Sequence, residues 1–212
     1  MTERNAMIDT VVFDLGGVLI DWNPRYLYRQ LLDDEAAMEH FLTKICTGPW
    51  NEQQDAGRPW SEAIARLSAE HPAHAPLIAA FRERWEEMLA GPIAGSVELL
   101  AELKARGVRL YALTNWSNET FPRALELYDF LHWFEGIVVS GEERLIKPDP
   151  RIYQCLFERY GVEPSRALYI DDARRNVDAA AALGMQAWWF QGAEGLRTWL
   201  ASHGLVDDKA TA

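Results

Sequence analysis

The feature that most restricts how this chain can fold is an apolar run from Val11 to Ile20, interrupted only by Asp14 and two glycines. A continuous apolar run bounded by glycine is typical of a buried strand in a parallel sheet. Burying a lone carboxylate is unfavourable unless a partner compensates its charge. Ligands of open α/β sheets lie at the carboxyl ends of the strands. The run therefore predicts a strand that delivers Asp14 to a functional site as a nucleophile, in preference to a structural turn residue.

The rest of the chain divides into a helical block and an alternating region. Residues 19–91 contain helix signals and no strand candidate, whereas helix and strand signals alternate from Ser96 onward. Such alternation predicts a parallel sheet with helices on both faces. A crossover between neighbouring parallel strands needs only roughly 30 residues, so the helical block is interpreted as an insertion. We predict an α/β core formed by residues 1–18 and 92–212, with an all-helical cap at 19–91.

Composition and charge limit the possible partners. The 212 residues carry a net charge of −11, which argues against a general surface for nucleic acid or anionic membranes. The two cysteines, Cys46 and Cys155, have no metal-ligand spacing, and the sequence contains neither a secretory-signal pattern nor a long apolar span. We therefore expect a cytoplasmic protein without a nucleic-acid or membrane partner, acting as a monomer or homodimer.

Polar residues follow four of the predicted strands, at the point where each strand ends. They are Asp14, the pair Thr114-Asn115, Lys147 and the pair Asp171-Asp172, with Asn176 shortly after. Because parallel strands end at one edge of the sheet, these side chains should converge. Phosphoryl transfer depends on positioning and charge neutralisation, and Mg²⁺ prefers carboxylate, water and phosphate oxygens. The pattern therefore predicts a phosphoryl-transfer site with Mg²⁺ as cofactor.

The chemistry of each residue type suggests its role in such a site. A carboxylate nucleophile at Asp14 would split hydrolysis into formation and hydrolysis of an aspartyl-phosphate. The Thr114 hydroxyl and nearby backbone N–H groups can hold phosphoryl oxygens. Lys147 would offset negative charge and favour the ionised nucleophile. Asp14 together with Asp172 or Asp171 would supply the carboxylates for the metal.

These motifs resemble those of the haloacid dehalogenase superfamily, in its phosphatase-like branch with a helical cap after the first strand. The matching segments, in chain order, are Phe13-Asp14-Leu15-Gly16-Gly17-Val18-Leu19, Leu113-Thr114-Asn115, Lys147-Pro148 and Tyr169-Ile170-Asp171-Asp172-Ala173-Arg174-Arg175-Asn176. The resemblance implies an α/β fold with a Rossmann-like, doubly wound parallel sheet of order 5-4-1-2-3, and a cap that closes over the substrate.

The resemblance also implies a set of site residues. Those expected to be catalytic are Asp14, Thr114 and Lys147. Those expected to bind the substrate phosphate are Thr114, Asn115, Lys147, Leu15 and Gly16. Those expected to hold Mg²⁺ are Asp14, the backbone carbonyl of Gly16 and the acidic pair, with Asp172 favoured over Asp171. Asn176 is interpreted either as a helix-surface residue or as a group that orients these ligands from behind.

One position departs from the family pattern. The family's phosphatases carry a second aspartate two positions after the nucleophile, as general acid and later base, and here that position is Gly16. The Gly16 carbonyl can still bind metal, but general acid catalysis is worth roughly 10²–10⁴ in rate. Three explanations are open: a substrate with a good leaving group, such as an anomeric sugar phosphate or acyl phosphate; another acid, such as Asp21 or a cap residue; or weak or absent activity. We favour the first, because Asp-Leu-Gly is also similar to the glucose-1-phosphate phosphatase subgroup.

The sequence thus predicts an Mg²⁺-dependent hydrolase of small phosphate monoesters, with a small phosphorylated metabolite as partner and an aspartyl-phosphate on Asp14. One alternative is a 2-haloacid dehalogenase, for which Gly16 would be unsurprising because a departing halide needs no proton. That chemistry needs no metal, however, and leaves the acidic pair without a purpose. The other alternative is a weakly active or non-catalytic binding protein that keeps the fold.

Overall fold

The apolar run at the first motif forms a strand, and this strand lies at the centre of a five-stranded sheet. The computed structural model describes residues 7–208. Within them, the strands are β1 (Thr10–Phe13), β2 (Ile20–Trp22), β3 (Leu89–Pro92), β4 (Arg109–Thr114), β5 (Gly136–Val139), β6 (Ala167–Asp171) and β7 (Gln186–Trp189). Over the same residues, none of the helices is both apolar enough and long enough to cross a bilayer.

The helices either flank this sheet or belong to the block inserted after β1. In the described part of the chain, the α-helices are α1 (Arg25–Leu31), α2 (Glu35–Lys44), α3 (Gly48–Asp55), α4 (Trp60–Glu70), α5 (Ala75–Glu83), α6 (Ala94–Ala105), α7 (Phe121–Leu127), α8 (Ser140–Glu143), α9 (Pro150–Tyr160), α10 (Arg174–Ala182) and α11 (Ala193–Ser202). Short 3₁₀ turns occur at Pro72–His74, Trp85–Met88, Asp129–Trp133 and Pro164–Arg166.

The large sheet has the spatial order β5-β4-β1-β6-β7, and every neighbouring pair is parallel. Val12 of β1 lies opposite Tyr111 on one side and Tyr169 on the other. The predicted α/β class with a parallel sheet is confirmed. If the five strands of this sheet are numbered 1 to 5 along the chain, their spatial order, starting from β7, is 5-4-1-2-3. The labels used here differ from the predicted ones because the sequence did not reveal β2 and β3, which form a separate sheet.

Those two strands correct the prediction that residues 19–91 are all helical. β2 and β3, at the two ends of the block, pair antiparallel with Ile20 opposite Pro92 and form a separate two-stranded sheet. Buried backbone N–H and C=O groups need partners, and pairing supplies them where the chain leaves and re-enters the core. Each strand is only three or four residues long, and β3 contains Gly91 and Pro92, so its sequence is typical of a turn.

Buried apolar side chains form three clusters. Alternate residues of β1 point to opposite faces of the sheet, so Val11 and Phe13 join one cluster and Val12 joins another. Both faces are therefore covered, as a parallel sheet requires. The third cluster holds the block of α1 to α5 together and is centred on aromatic residues that include Tyr28, Phe41 and Phe81.

The block thus has an apolar core of its own. We retain the division into a core and a cap at residues 19–91 as a proposal that this third cluster supports. The ends of the predicted core, residues 1–6 and 209–212, lie outside the described residues.

Candidate active site

The residues predicted for the site come together at the carboxyl edge of the large sheet. Asp14 follows β1, Thr114 ends β4 and Asp171 ends β6, while Lys147 lies in the loop between α8 and α9. Asp14 continues the pairing of β1 with β6, because its backbone N–H donates to the backbone carbonyl of Ile170 at 2.8 Å. Adjacent parallel strands therefore place a carboxylate, a hydroxyl and a second carboxylate side by side, as the strand-end argument predicted.

Lys147 is the fully buried cation at the centre of this edge. Its Nζ lies 2.9 Å from Asp14 Oδ2 and 2.7 Å from Asp171 Oδ2. The same ammonium donates to the carbonyl of Leu113 at 2.9 Å, so each of its three N–H groups has an acceptor. Burial alone would lower the pKa of Lys147, but Asp14 and Asp171 outweigh it and raise the pKa above its usual value. Lys147 is therefore held in the charged form.

Asp171 is the most completely hydrogen-bonded group of the site. Besides Lys147, it accepts from the Tyr169 hydroxyl at 2.6 Å, the Ala173 N–H at 2.8 Å and Asn176 Nδ2 at 3.0 Å. Burial would raise the pKa of Asp171, but the Lys147 ammonium and the other donors lower it overall. Its oxygens are already engaged, so Asp171 fits the orientation of Lys147 better than direct metal binding. Asn176 is buried and holds Asp171 from behind, which excludes the helix-surface interpretation.

Asp172, in contrast, is exposed and lies against the loop that follows β1. A Cβ built on Gly17 would lie 2.2 Å from Asp172 Oδ2, and Gly17 has a φ of +73°. Glycine is therefore needed there for both its backbone conformation and its close approach to Asp172. Partial desolvation of the carboxyl group and the neighbouring Asp171 raise the pKa of Asp172, and Lys147 opposes them only in part.

Thr114 and Asn115 are adjacent but are used in different ways. Thr114 is 1% exposed, and its hydroxyl oxygen has no hydrogen-bond partner among the described residues. Leaving such a group unsatisfied costs about 1–3 kcal/mol, so a ligand oxygen beside it would be stabilised. The Asn115 side-chain amide instead accepts from the backbone N–H of Lys147 at 2.8 Å and donates to the backbone carbonyl of Lys147 at 3.1 Å. The Asn115 side chain thus holds the loop that carries Lys147, whereas the sequence predicted that Asn115 binds phosphate.

The loop after β1 turns tightly around the nucleophile position. The Leu15 N–H donates to Asp14 Oδ1 at 2.7 Å, and the Leu15 carbonyl accepts from the N–H groups of Leu19 and Ile20 at 2.8 and 2.9 Å. A Cβ built on Gly16 would meet nothing within 4 Å. The space that a side chain at this position would occupy is therefore open.

Gly16 also lines a cavity of about 90 Å³ between the inserted block and the loop after β4. Its apolar walls are formed by the tryptophans Trp22, Trp60, Trp85 and Trp116. Its other lining residues are Gly16, Asn51, Asp55, Asn115, Ser117 and Thr120. The sequence motifs identified Gly16 and Asn115 but not the rest. These residues lie on α3 and α4, at the end of β2, in the 3₁₀ turn at Trp85–Met88 or in the loop after β4, where no spacing distinguishes a cavity wall from ordinary packing.

The carboxylates at this edge fit a divalent cation with oxygen ligands. Ligand atoms of Asp14, Asp171 and Asp172 all lie within 4.8 Å of one another, and Lys147 forms ion pairs with Asp14 and Asp171. The pKa of Asp14 is raised to about 8, because burial and the nearby Asp171 and Asp172 outweigh the opposing effect of Lys147. A dication would favour the ionised carboxylates. Asp14 and Asp172 are the carboxylates available to hold it, with the Gly16 carbonyl as the further oxygen that the family resemblance implies.

Comparison with known proteins points to the same family that the motifs suggested. A family model for haloacid dehalogenase-like hydrolases matches residues 8–184, which is most of the chain. Among curated proteins, a sesquiterpene phosphatase from Aspergillus oryzae is 29% identical over 174 residues, covering 82% of this chain and 85% of that protein.

Two solved structures illustrate the range of chemistry found on this fold. A haloacid dehalogenase family enzyme from Bacteroides thetaiotaomicron, a mutant in complex with magnesium and inorganic phosphate, superposes with a TM-score of 0.66, at 20% identity, covering 87% of this chain and 95% of that one. An L-2-haloacid dehalogenase from Xanthobacter autotrophicus, with chloropropionic acid covalently bound, superposes with a TM-score of 0.60, at 19% identity, covering 95% and 85%. At these identities the likeness establishes the fold alone.

Proposed function

The chain belongs to the haloacid dehalogenase-like hydrolases, and from that premise we propose that it is an Mg²⁺-dependent phosphatase of small monoesters. The observation that carries the proposal is the unpartnered, buried hydroxyl of Thr114 at the same strand edge as the Asp14–Lys147 pair. A phosphoryl group placed there would accept a hydrogen bond from Thr114 and lie against the carboxylate that attacks it. The phosphatase among the curated relatives supports the same reaction class.

The proposed reaction has two steps. In the first, a carboxylate oxygen of Asp14 bonds to phosphorus while the bond to the leaving oxygen breaks, and the electron pair stays on that oxygen. In the second, water attacks the aspartyl-phosphate, the bond between phosphorus and Asp14 breaks, and inorganic phosphate leaves. Thr114 and Lys147 offset the charge on the phosphoryl oxygens throughout. Mg²⁺ held by Asp14, Asp172 and the Gly16 carbonyl would neutralise further phosphate charge.

The cavity under the inserted block suggests where the rest of the substrate lies. Gly16 and Asn115 line it from the core side, so an ester bound at Asp14 would extend its organic part between the indole walls. The cavity of about 90 Å³ would enclose only part of a small phosphorylated metabolite. We propose a sugar phosphate or another ester with a good leaving group, a cytoplasmic location, and a monomer or homodimer without nucleic-acid or membrane partners.

The decisive experiment is a steady-state assay of p-nitrophenyl phosphate hydrolysis by the wild type and Asp14→Asn, each with Mg²⁺ and with EDTA. We expect turnover only in the wild type with Mg²⁺. Asp178→Asn is the matched control, because Asp178 is an exposed aspartate that pairs with Arg174 on the surface of α10. Equal activity in all four conditions would overturn the proposal.

A second candidate, a 2-haloacid dehalogenase, is favoured by one observation, the absence of an acid side chain at Gly16. Against it, Asp171 and Asp172 would repel a carboxylate substrate. Halide release from 2-chloropropionate, unchanged by EDTA, would establish this function. Tight binding of a sugar phosphate without turnover would instead establish the non-catalytic binding protein.

A further inference from the structure

The inserted block contributes a carboxylate of its own to the cavity, that of Asp55. Asp55 is the last residue of α3, a helix whose start is fixed by the Thr47 hydroxyl, which accepts from the Trp50 N–H at 3.2 Å. Trp50 is buried in the aromatic cluster of the block, in edge contact with Trp60. The Thr47 cap and the packing of Trp50 therefore fix the first turn of α3, and the Asp55 side chain extends from its last residue.

Hydrogen bonds from both sides fix Asp55 between the block and the core. Asn51, one turn earlier on α3, donates from Nδ2 to Asp55 Oδ2 at 3.0 Å. From the core side, the backbone N–H of Ser117 donates to the same carboxylate. The Ser140 hydroxyl donates to the backbone carbonyl of Asp55 at 2.5 Å. The carboxyl group is thus held against the loop that follows Thr114 and Asn115.

The surroundings of Asp55 favour its protonated form. The pKa of Asp55 is raised to about 7, because burial and Glu52 on the same helix raise it more than the Ser117 N–H lowers it. Glu52 in turn pairs with Arg175 of α10. Other charged groups on the elements packed around Asp55 are Glu119 in the loop after β4 and Glu142, Glu143 and Arg144 at α8. Of these, Glu119 accepts from the Trp60 N–H and Glu143 pairs with Arg159.

Gly16 opens onto the same cavity from the core side, in space that no neighbouring atom fills within 4 Å of a Cβ. A carboxyl group attached at that position would stand at the wall of the cavity that Asp55 also lines. We propose that Asp55 is the catalytic residue that protonates the leaving group, in place of the acid side chain that Gly16 lacks. This inference rests on the proposed phosphatase function and replaces the need for an intrinsically good leaving group.

The proton balance of the reaction is then complete. As Asp14 bonds to phosphorus, the leaving oxygen takes the proton of the Asp55 carboxyl group, so an alcohol departs and Asp55 becomes a carboxylate. In the second step the attacking water gives its proton to Asp55 as its oxygen bonds to phosphorus. The products are the alcohol and inorganic phosphate, and both aspartates return to their starting forms.

The test is a comparison of kcat/KM across p-nitrophenyl, phenyl and ethyl phosphate, whose leaving groups are progressively more basic. We expect Asp55→Asn to lose about 100-fold on ethyl phosphate but no more than about threefold on p-nitrophenyl phosphate, because a good leaving group needs little protonation. Gly16→Asp/Asp55→Asn should regain activity on ethyl phosphate. Asp178→Asn, the same Asp→Asn change at an exposed aspartate on α10, should keep the wild-type dependence on the leaving group.

A pH profile adds a readout that a purely structural role would not change. In the wild type, kcat/KM for ethyl phosphate should fall as the pH rises through the pKa of Asp55, about 7, because the proton is lost. Glu52→Gln should move this decline to lower pH, since removing a nearby negative charge lowers the pKa of Asp55. The decline should be absent in Asp55→Asn.

Each contrary result has a distinct meaning. An Asp55→Asn enzyme with the wild-type leaving-group dependence would overturn the role of Asp55 while leaving the phosphatase proposal intact. An equal loss on all three esters would also overturn it, because Asp55 would then serve only to hold the block in place. If kcat/KM of the double variant Gly16→Asp/Asp55→Asn depends on the leaving group as strongly as that of Asp55→Asn, a carboxyl group at position 16 does not replace that of Asp55, and the proposal is contradicted. Wild-type inactivity toward p-nitrophenyl phosphate would instead be the failure of the proposed function itself.

Discussion

The edge of the sheet and the cavity beside it hold their polar groups in opposite ways. At the sheet edge, Lys147 is fully buried, and each of its three N–H groups has an acceptor. It compensates the charge of the two carboxylates that it contacts, Asp14 and Asp171. In the cavity, four indoles form the walls, and the carboxyl group of Asp55 is held by one amide and one backbone N–H. The first region is a buried charge network, and the second is a largely apolar cavity that contains one carboxyl group.

This difference separates stability from specificity. Removing one member of a buried ionic network leaves the remaining charges without compensation, which costs several kcal/mol. Replacing an aromatic wall changes mainly the contacts that a ligand makes. Substitutions at the sheet edge should therefore affect folding and turnover together. Trp60, Trp85 and Trp116 also belong to the apolar cores, so the half-buried Trp22 is the wall residue whose substitution should affect substrate binding with little effect on folding.

The largest effect is expected for Lys147→Met, which keeps the length of the side chain and removes its charge. Asp14 and Asp171 would then be buried without a cation, so we expect the free energy of unfolding to fall by about 3–5 kcal/mol. Turnover of p-nitrophenyl phosphate should be lost. Urea denaturation followed by circular dichroism, together with the steady-state assay, measures both. A variant of wild-type stability would show that the network is not required for folding.

A smaller and more selective effect is expected for Thr114→Val, which is close in volume. Because the Thr114 hydroxyl has no partner among the described residues, its removal should leave the free energy of unfolding unchanged or slightly raised. The same change should lower kcat about 100-fold, the usual loss when one donor to a transition-state oxygen is removed. Thr114→Ser should keep most of the activity. Equal loss of kcat in Thr114→Ser would contradict a role for the hydroxyl.

The sequence predicted the sheet edge far better than the cavity. Asp14, Thr114 and Asp171 were found because each ends a buried strand, and adjacent parallel strands must end together. The role of Asn115 was missed because its amide is bound to the backbone of Lys147, 32 residues away. Asp55 had no signal, since a polar residue at the end of a helix is usually a surface residue. The cavity exists only because the block packs against the core, and no local pattern encodes that packing.

The smallest effect is expected for Trp22→Leu, which tests the cavity wall itself. Trp22 is half-buried at the end of β2, so leucine retains an apolar side chain on the strand while removing one indole face. We expect KM for phenyl phosphate to rise about tenfold, equivalent to about 1.4 kcal/mol of lost binding, with kcat nearly unchanged. Trp133→Leu is the matched control, because Trp133 is half-buried against the core and does not line the cavity. If Trp22→Leu and Trp133→Leu change KM equally, or if Trp22→Leu lowers kcat and the free energy of unfolding instead, the cavity wall belongs to the structural network, and the separation between the two regions fails.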